Sequence, residues 1–100
     1  MVKSIRWNEE KGRALAEDEA RGRVGFEECI AAIAAGRIVD VVAIPSLNHP
    51  SQRMFILAIR NYAYCVPFVE SDAEIFLKTV FPSRTFTAIY LPEQDDDEQG

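Results

Sequence analysis

The sequence predicts an α+β domain: an antiparallel sheet of four to five strands, two N-terminal helices on one face, and a short C-terminal helix, in the order β-α-α-β-β-β-β-α. Three observations carry that prediction. Apolar residues recur at helical spacing between Phe26 and Ala34, whereas the runs after residue 37 are β-branched and aromatic. The links between those runs are short, as at Arg60-Asn61 and Glu70-Ser71-Asp72-Ala73, and short links join antiparallel neighbours. One hundred residues at 48% hydrophobic content make a single small domain with a core of its own.

Val2 to Trp7 reads as a short strand, with Ile5 and Trp7 on alternate positions. Asn8 is an N-cap, and Glu9 and Glu10 in the first turn suit the positive end of a helix dipole. This helix is expected to reach about Ala20. Its apolar content is mainly Ala14, Leu15 and Ala16, so it belongs on the surface, with Glu9/Arg13 and Glu17/Arg21 as i,i+4 pairs. Gly22 and Gly25 bracket a turn. A second helix opens near Phe26, places Phe26, Cys29, Ile30, Ile33 and Ala34 on one face, and stops at Gly36.

Ile38 to Val42 is a β-branched strand, and Pro45 to Gln52 is a loop. Arg53 to Ile59 is apolar on both faces, which predicts a central strand. Arg60-Asn61 turns it into Tyr62 to Val69 as a hairpin. Pro67 cannot donate a ladder bond, so it marks an edge position or a bulge. Glu70 to Ala73 leads into a last strand, Glu74 to Phe81, and a short helix follows Pro82-Ser83 through Leu91. The two N-terminal helices should cover one face of the sheet and leave the other open to an RNA or a partner protein.

The formal net charge of -5 is a property of one end. Residues 1–92 balance 11 basic against 11 acidic groups, and Glu93, Asp95, Asp96, Asp97 and Glu98 form an acidic tail. The expected organisation is one domain over 1–92 and a solvated, disordered tail over 93–100. The alternative is a tail that folds back on a cationic groove. No apolar run approaches the roughly 20 residues of a membrane span, and the first residues are too short and too charged for a signal peptide. Cys29 and Cys65 sit in apolar contexts without metal-ligand spacing, as buried free thiols of a cytoplasmic protein do. A glycine-rich phosphate loop, a metal cluster and a Ser-His-Asp order are all missing from the sequence, so no cofactor is expected.

The run Phe76-Leu77-Lys78-Thr79-Val80-Phe81-Pro82-Ser83-Arg84 is the most informative stretch. It reads as a largely buried strand that holds a lysine and ends on a serine and an arginine. Such cations either snorkel to solvent or face an anion such as a phosphate.

Ile5-Arg6-Trp7-Asn8 with Lys11, then Gly25-Phe26-Glu27-Glu28, then a final strand ending in Pro82-Ser83-Arg84 resemble the BrnT-like toxins of type II toxin–antitoxin systems. Val66-Pro67-Phe68-Val69 and the Phe76–Arg84 run look closest to an uncharacterised branch of that group. The resemblance spans roughly residues 4–91. It implies a RelE-like fold, a cytoplasmic location and metal-independent endoribonuclease activity through 2′-hydroxyl attack. It also implies a nearby-encoded antitoxin of ribbon-helix-helix or helix-turn-helix type. The family toxins are rich in basic residues after the last strand, whereas Thr85-Phe86-Thr87-Ala88-Ile89-Tyr90-Leu91 has none. RNA affinity comes largely from cations opposite phosphates. A non-catalytic interaction module on the same fold is therefore the alternative function.

Within that frame Arg84, Lys78 and His49 are the catalytic candidates. Arg84 offers a planar fork for two phosphate oxygens, against the plain reading of an exposed strand-end arginine. Lys78 has the opposite parity to Leu77 and Thr79, so it points to the open face, as a ligand or as an ordinary solvent-facing lysine. His49, in the loop, exchanges a proton near neutral pH or is inert. Arg53 is a candidate phosphate ligand whose plain reading is a strand-end salt bridge, with Asp40 as a partner in reach. Tyr62 and Tyr64 share one strand face, either stacking bases or packing under a helix. Lys11 is a weaker RNA-binding candidate or a surface cation.

Overall fold

A computed structural model describes residues 4–44 and 52–92. His49 with most of its loop, and the acidic tail over 93–100, lie outside the described residues. The elements are β1 (Ser4–Arg6), α1 (Glu9–Glu17), α2 (Phe26–Ala34), β2 (Ile38–Ala43), β3 (Arg53–Ile59), β4 (Tyr62–Glu70), β5 (Glu74–Leu77), β6 (Phe81–Pro82) and α3 (Arg84–Tyr90), with a 3₁₀ turn at Glu19–Arg21.

Local chemistry explains most boundaries. The Asn8 side chain accepts from the Lys11 amide at 2.9 Å and opens α1. The helix stops at Glu17, short of Ala20, because Asp18 leaves helical geometry and its carboxylate accepts from the Ala20 amide at 3.0 Å. Gly36 takes φ +76° after α2. Arg60 and Asn61 take φ 54° and 63°, the two left-handed positions of the tight turn that matches strand twist.

The class is α+β, but the sheet is mixed rather than antiparallel. Its order is β1-β5-β4-β3-β2, with β6 beside β4. β1 runs parallel to β5, with Arg6 opposite Phe76. No hairpin sets the direction of β1, since the rest of the domain separates it from its partner in sequence. The expected last strand is also two strands. β5 pairs with Phe68–Glu70, and β6 pairs with Tyr64 and Cys65. The gap falls at Pro67, whose carbonyl accepts from the Lys78 amide at 2.8 Å but which has no donor to return. Within the gap Val80 turns into the core, and the Arg21 guanidinium donates to its carbonyl at 3.2 Å.

Strand alternation sorts the residues into two faces. On the first, α1 and α2 lay Leu15, Phe26 and Cys29 over Phe55, Leu57, Val66, Phe68 and Leu77. Phe55 and Phe68 stack at 4.2 Å between ring centroids. On the second, α3 brings Phe86 and Tyr90 over Met54, Ile56, Ala63 and Cys65. Burial on both faces explains the unbroken apolar run of β3. It also corrects the expectation of a wholly open second face: α3 covers the β2–β3–β4 part of it.

Candidate functional site

Asp40, Ser83 and Thr87 fasten α3 to the sheet. The Ser83 hydroxyl accepts from the Phe86 amide at 3.1 Å and caps the helix. Thr87, 3% exposed, accepts from the Ala63 amide at 2.9 Å and donates to the Ser83 carbonyl at 2.7 Å, while the Ser83 amide returns a bond to the Ala63 carbonyl. At the other end the Tyr90 hydroxyl donates to Asp40 on β2. That bond, with a second from the Val41 amide, holds the Asp40 carboxyl below its ordinary range and pushes the Tyr90 phenol up. The roles of Asp40, Thr87 and Tyr90 escaped the sequence reading because each partner is remote in the chain. The available signal was the capping Ser83 with Thr87 four residues on, the spacing at which a threonine hydroxyl reaches an i−4 carbonyl.

Under α1 and α2 the chain makes a second polar knot. Arg60 donates to the Gly22 carbonyl at 2.6 Å and to Glu28 at 2.8 Å. Gly22 has φ +79°, and a Cβ there would lie 2.4 Å from the Tyr64 hydroxyl. Burial raises the Tyr64 phenol above its usual range. The same cause lifts Cys29 to about 12, and it raises Cys65. The two thiols belong to opposite faces of the sheet and are free.

Trp7 and the motif piece Gly25-Phe26-Glu27-Glu28 meet at a surface cavity of about 250 Å³ between α1 and α2. Packing accounts for much of that convergence. Trp7 lies 6.0 Å from Phe26 between ring centroids. A Cβ on Gly25 would sit 3.0 Å from that of Ala16, so the helices cross where side chains are smallest.

The candidate site residues separate accordingly. Tyr64 is 6% exposed and packs with Tyr62 on the helix-covered face, so Tyr64 has no ring face to offer a base. Arg53 pairs with Glu70 and lies over the Phe68 ring at 5.5 Å, on that same first face. Lys11 is exposed on α1. Lys78 points to the second face, opposite Arg53, so those two cations do not converge. Arg84 is exposed at the start of α3, on the second face. The backbone positions facing Lys78 and Ser83 are Pro67 and Ala63, about 13 Å apart along β4.

The β1–β5 part of the second face is left without a covering helix among the described residues. Register puts Arg6, Phe76 and Val69 side by side there. Phe76 and Val69 are half-buried and belong to neither core cluster. The Lys78 ammonium stands 5.9 Å from the centre of the Phe76 ring. Arg6 lies 4.0 Å from Glu74. Among the described residues neither Lys78 nor Arg84 meets an acid, no group of residues has metal-site geometry, and no helix is long and apolar enough to cross a membrane.

No family model matches this chain, and neither does any curated protein or solved structure.

Proposed function

We propose that this chain is the toxin component of a type II toxin–antitoxin pair, a BrnT-like cytoplasmic ribonuclease held silent by an antitoxin encoded nearby. The observation that carries the reading is the pair Lys78 and Arg84. They stand on the same face of an α+β sheet, unpaired among the described residues and separated by a span that an extended RNA strand covers. In the proposed reaction a ribose 2′-hydroxyl attacks the adjacent phosphate, the bond from phosphorus to the 5′-oxygen of the next nucleotide breaks, and that oxygen leaves with a proton, so that a 2′,3′-cyclic phosphate and a 5′-hydroxyl result. Lys78 and Arg84 hold the charge that develops there, and His49 moves the proton. Arg53, Tyr62 and Tyr64 drop out of this site, because they serve the other face.

The test is inducible expression in bacteria of the parent, Lys78→Ala and Arg84→Ala. The parent should arrest growth and deplete cellular RNA, and both variants should grow. Equal growth of all three strains with intact RNA would overturn the proposal. A non-catalytic interaction module is the second reading. Edge strand β2 favours it, with Ile38, Val39 and Val41 each more than a third exposed. An adjacent small reading frame with a ribbon-helix-helix or helix-turn-helix pattern supports the toxin, and its absence supports the module.

A further inference from the structure

We infer that the uncovered part of the second face is a stacking platform for single-stranded RNA, on which Phe76 takes a nucleobase while Lys78 and Arg6 meet the flanking phosphates. The inference rests on the RNA reading above. It adds Phe76 and Arg6, neither of them among the candidate site residues above, and it specifies that the bound strand is unpaired.

Register makes the geometry definite. Phe76 sits on β5 between Arg6 of β1 and Val69 of β4, and directly paired residues project to the same side. Lys78 follows two positions along and shares that side, as its approach to the Phe76 ring shows. An aromatic ring on an open sheet, flanked by cations, is the arrangement that holds unpaired bases in sheet-based RNA modules. Every base has a π-face, so such a platform tolerates many sequences. In the free protein the Lys78 ammonium lies near the ring. A stacked base would take that place and leave the ammonium to a phosphate oxygen.

Charge favours a nucleic acid over an apolar partner. Among the described residues Arg6 and Lys78 outnumber Glu74 on this surface, which gives them one net positive charge. With two phosphates contacted, the binding should be modest and salt-sensitive. The logarithm of affinity should fall with the logarithm of salt at a slope of about -1.4. A duplex keeps its bases inside the stack and offers Phe76 nothing to hold.

The experiment titrates the full chain with short fluorescein-labelled oligouridylate across a range of salt, and repeats it with Lys78→Ala, Phe76→Leu and Phe76→Tyr. Phe76→Leu keeps an apolar side chain but removes the ring. It should weaken binding roughly five- to a hundred-fold with the salt slope unchanged. Phe76→Tyr should bind as the parent does. Lys78→Ala should reduce the slope to about -0.7. Binding and growth arrest both retained in Phe76→Leu would overturn the stacking platform and leave the toxin reading standing. A parent that neither binds oligouridylate nor arrests growth would overturn both. Amide shifts at Arg6, Phe76 and Lys78 that appear on raising protein concentration alone would assign this face to a second copy, and would likewise overturn it.

Discussion

The two faces of the sheet are built differently. The first is covered by α1 and α2 and holds large, closely packed side chains such as Phe26, Phe55, Phe68 and Leu77. The second carries one seven-residue helix, α3, over smaller residues such as Ala63 and Cys65, and leaves β1 and β5 uncovered. The first face secures the fold through apolar area. The second divides its width between a hydrogen-bonded helix and a strip without a covering helix, where Arg6 and Lys78 are exposed and Phe76 is half-buried. Surface without a covering helix is available where the packing is thinner. That is also why Arg53, Tyr62 and Tyr64, all on the first face, are better explained as structure.

The contrast is sharpest in a pair of aromatic truncations. Phe68→Ala, at a fully buried stacked position, should cost about 4 kcal/mol in urea denaturation. Phe86→Ala, at a half-buried position on α3, should cost about half as much. Equal losses would mean that the two faces share the stability evenly, and the contrast would fail.

Gly22→Ala probes the first face from its polar side and should cost about 3 kcal/mol, through backbone strain at positive φ and collision with the Tyr64 hydroxyl. Adding Tyr64→Phe should return about 1 kcal/mol by removing the oxygen, at the expense of nothing in the backbone. A single variant as stable as the parent would show that the turn is free to shift.

The smallest effect belongs to the Asp40–Tyr90 latch of the second face and is read from its pH dependence. The Asp40 carboxyl titrates below its ordinary value, so its contribution is present above about pH 4 and lost as pH falls through the depressed value. The Tyr90 phenol is raised, so its contribution is present below about pH 10 and lost as pH climbs through the raised value. The melting-temperature difference between parent and Tyr90→Phe should be flat near neutrality and shrink at both extremes. A difference that does not vary with pH would show that the two groups are not bonded in solution.

Much of the local architecture is legible in the chain. Asn8 announces the start of α1, Gly36 the end of α2, and Arg60-Asn61 the hairpin, since each acts within a few residues of itself. Pro67 reads as an edge position or a bulge, whereas it lies inside the central strand β4, paired with Met54 of β3 without a bulge, and its missing donor falls in the gap between β5 and β6. Alternation places Tyr62 and Tyr64 together and sets Lys78 against Leu77. It does not tell which side receives the helices.

By itself, then, the sequence determined the α+β class, the caps and turns, and the sharing of a face along any one strand, because these depend on neighbouring φ, ψ and side-chain period. The tertiary structure alone decided that β1 runs parallel to β5, that Thr87 and Asp40 hold α3, and that Arg6 and Lys78 flank Phe76 while Arg53 faces away. Those outcomes turn on strand register between segments far apart in the chain. A shift of one residue in that register would reverse every side chain on the strand.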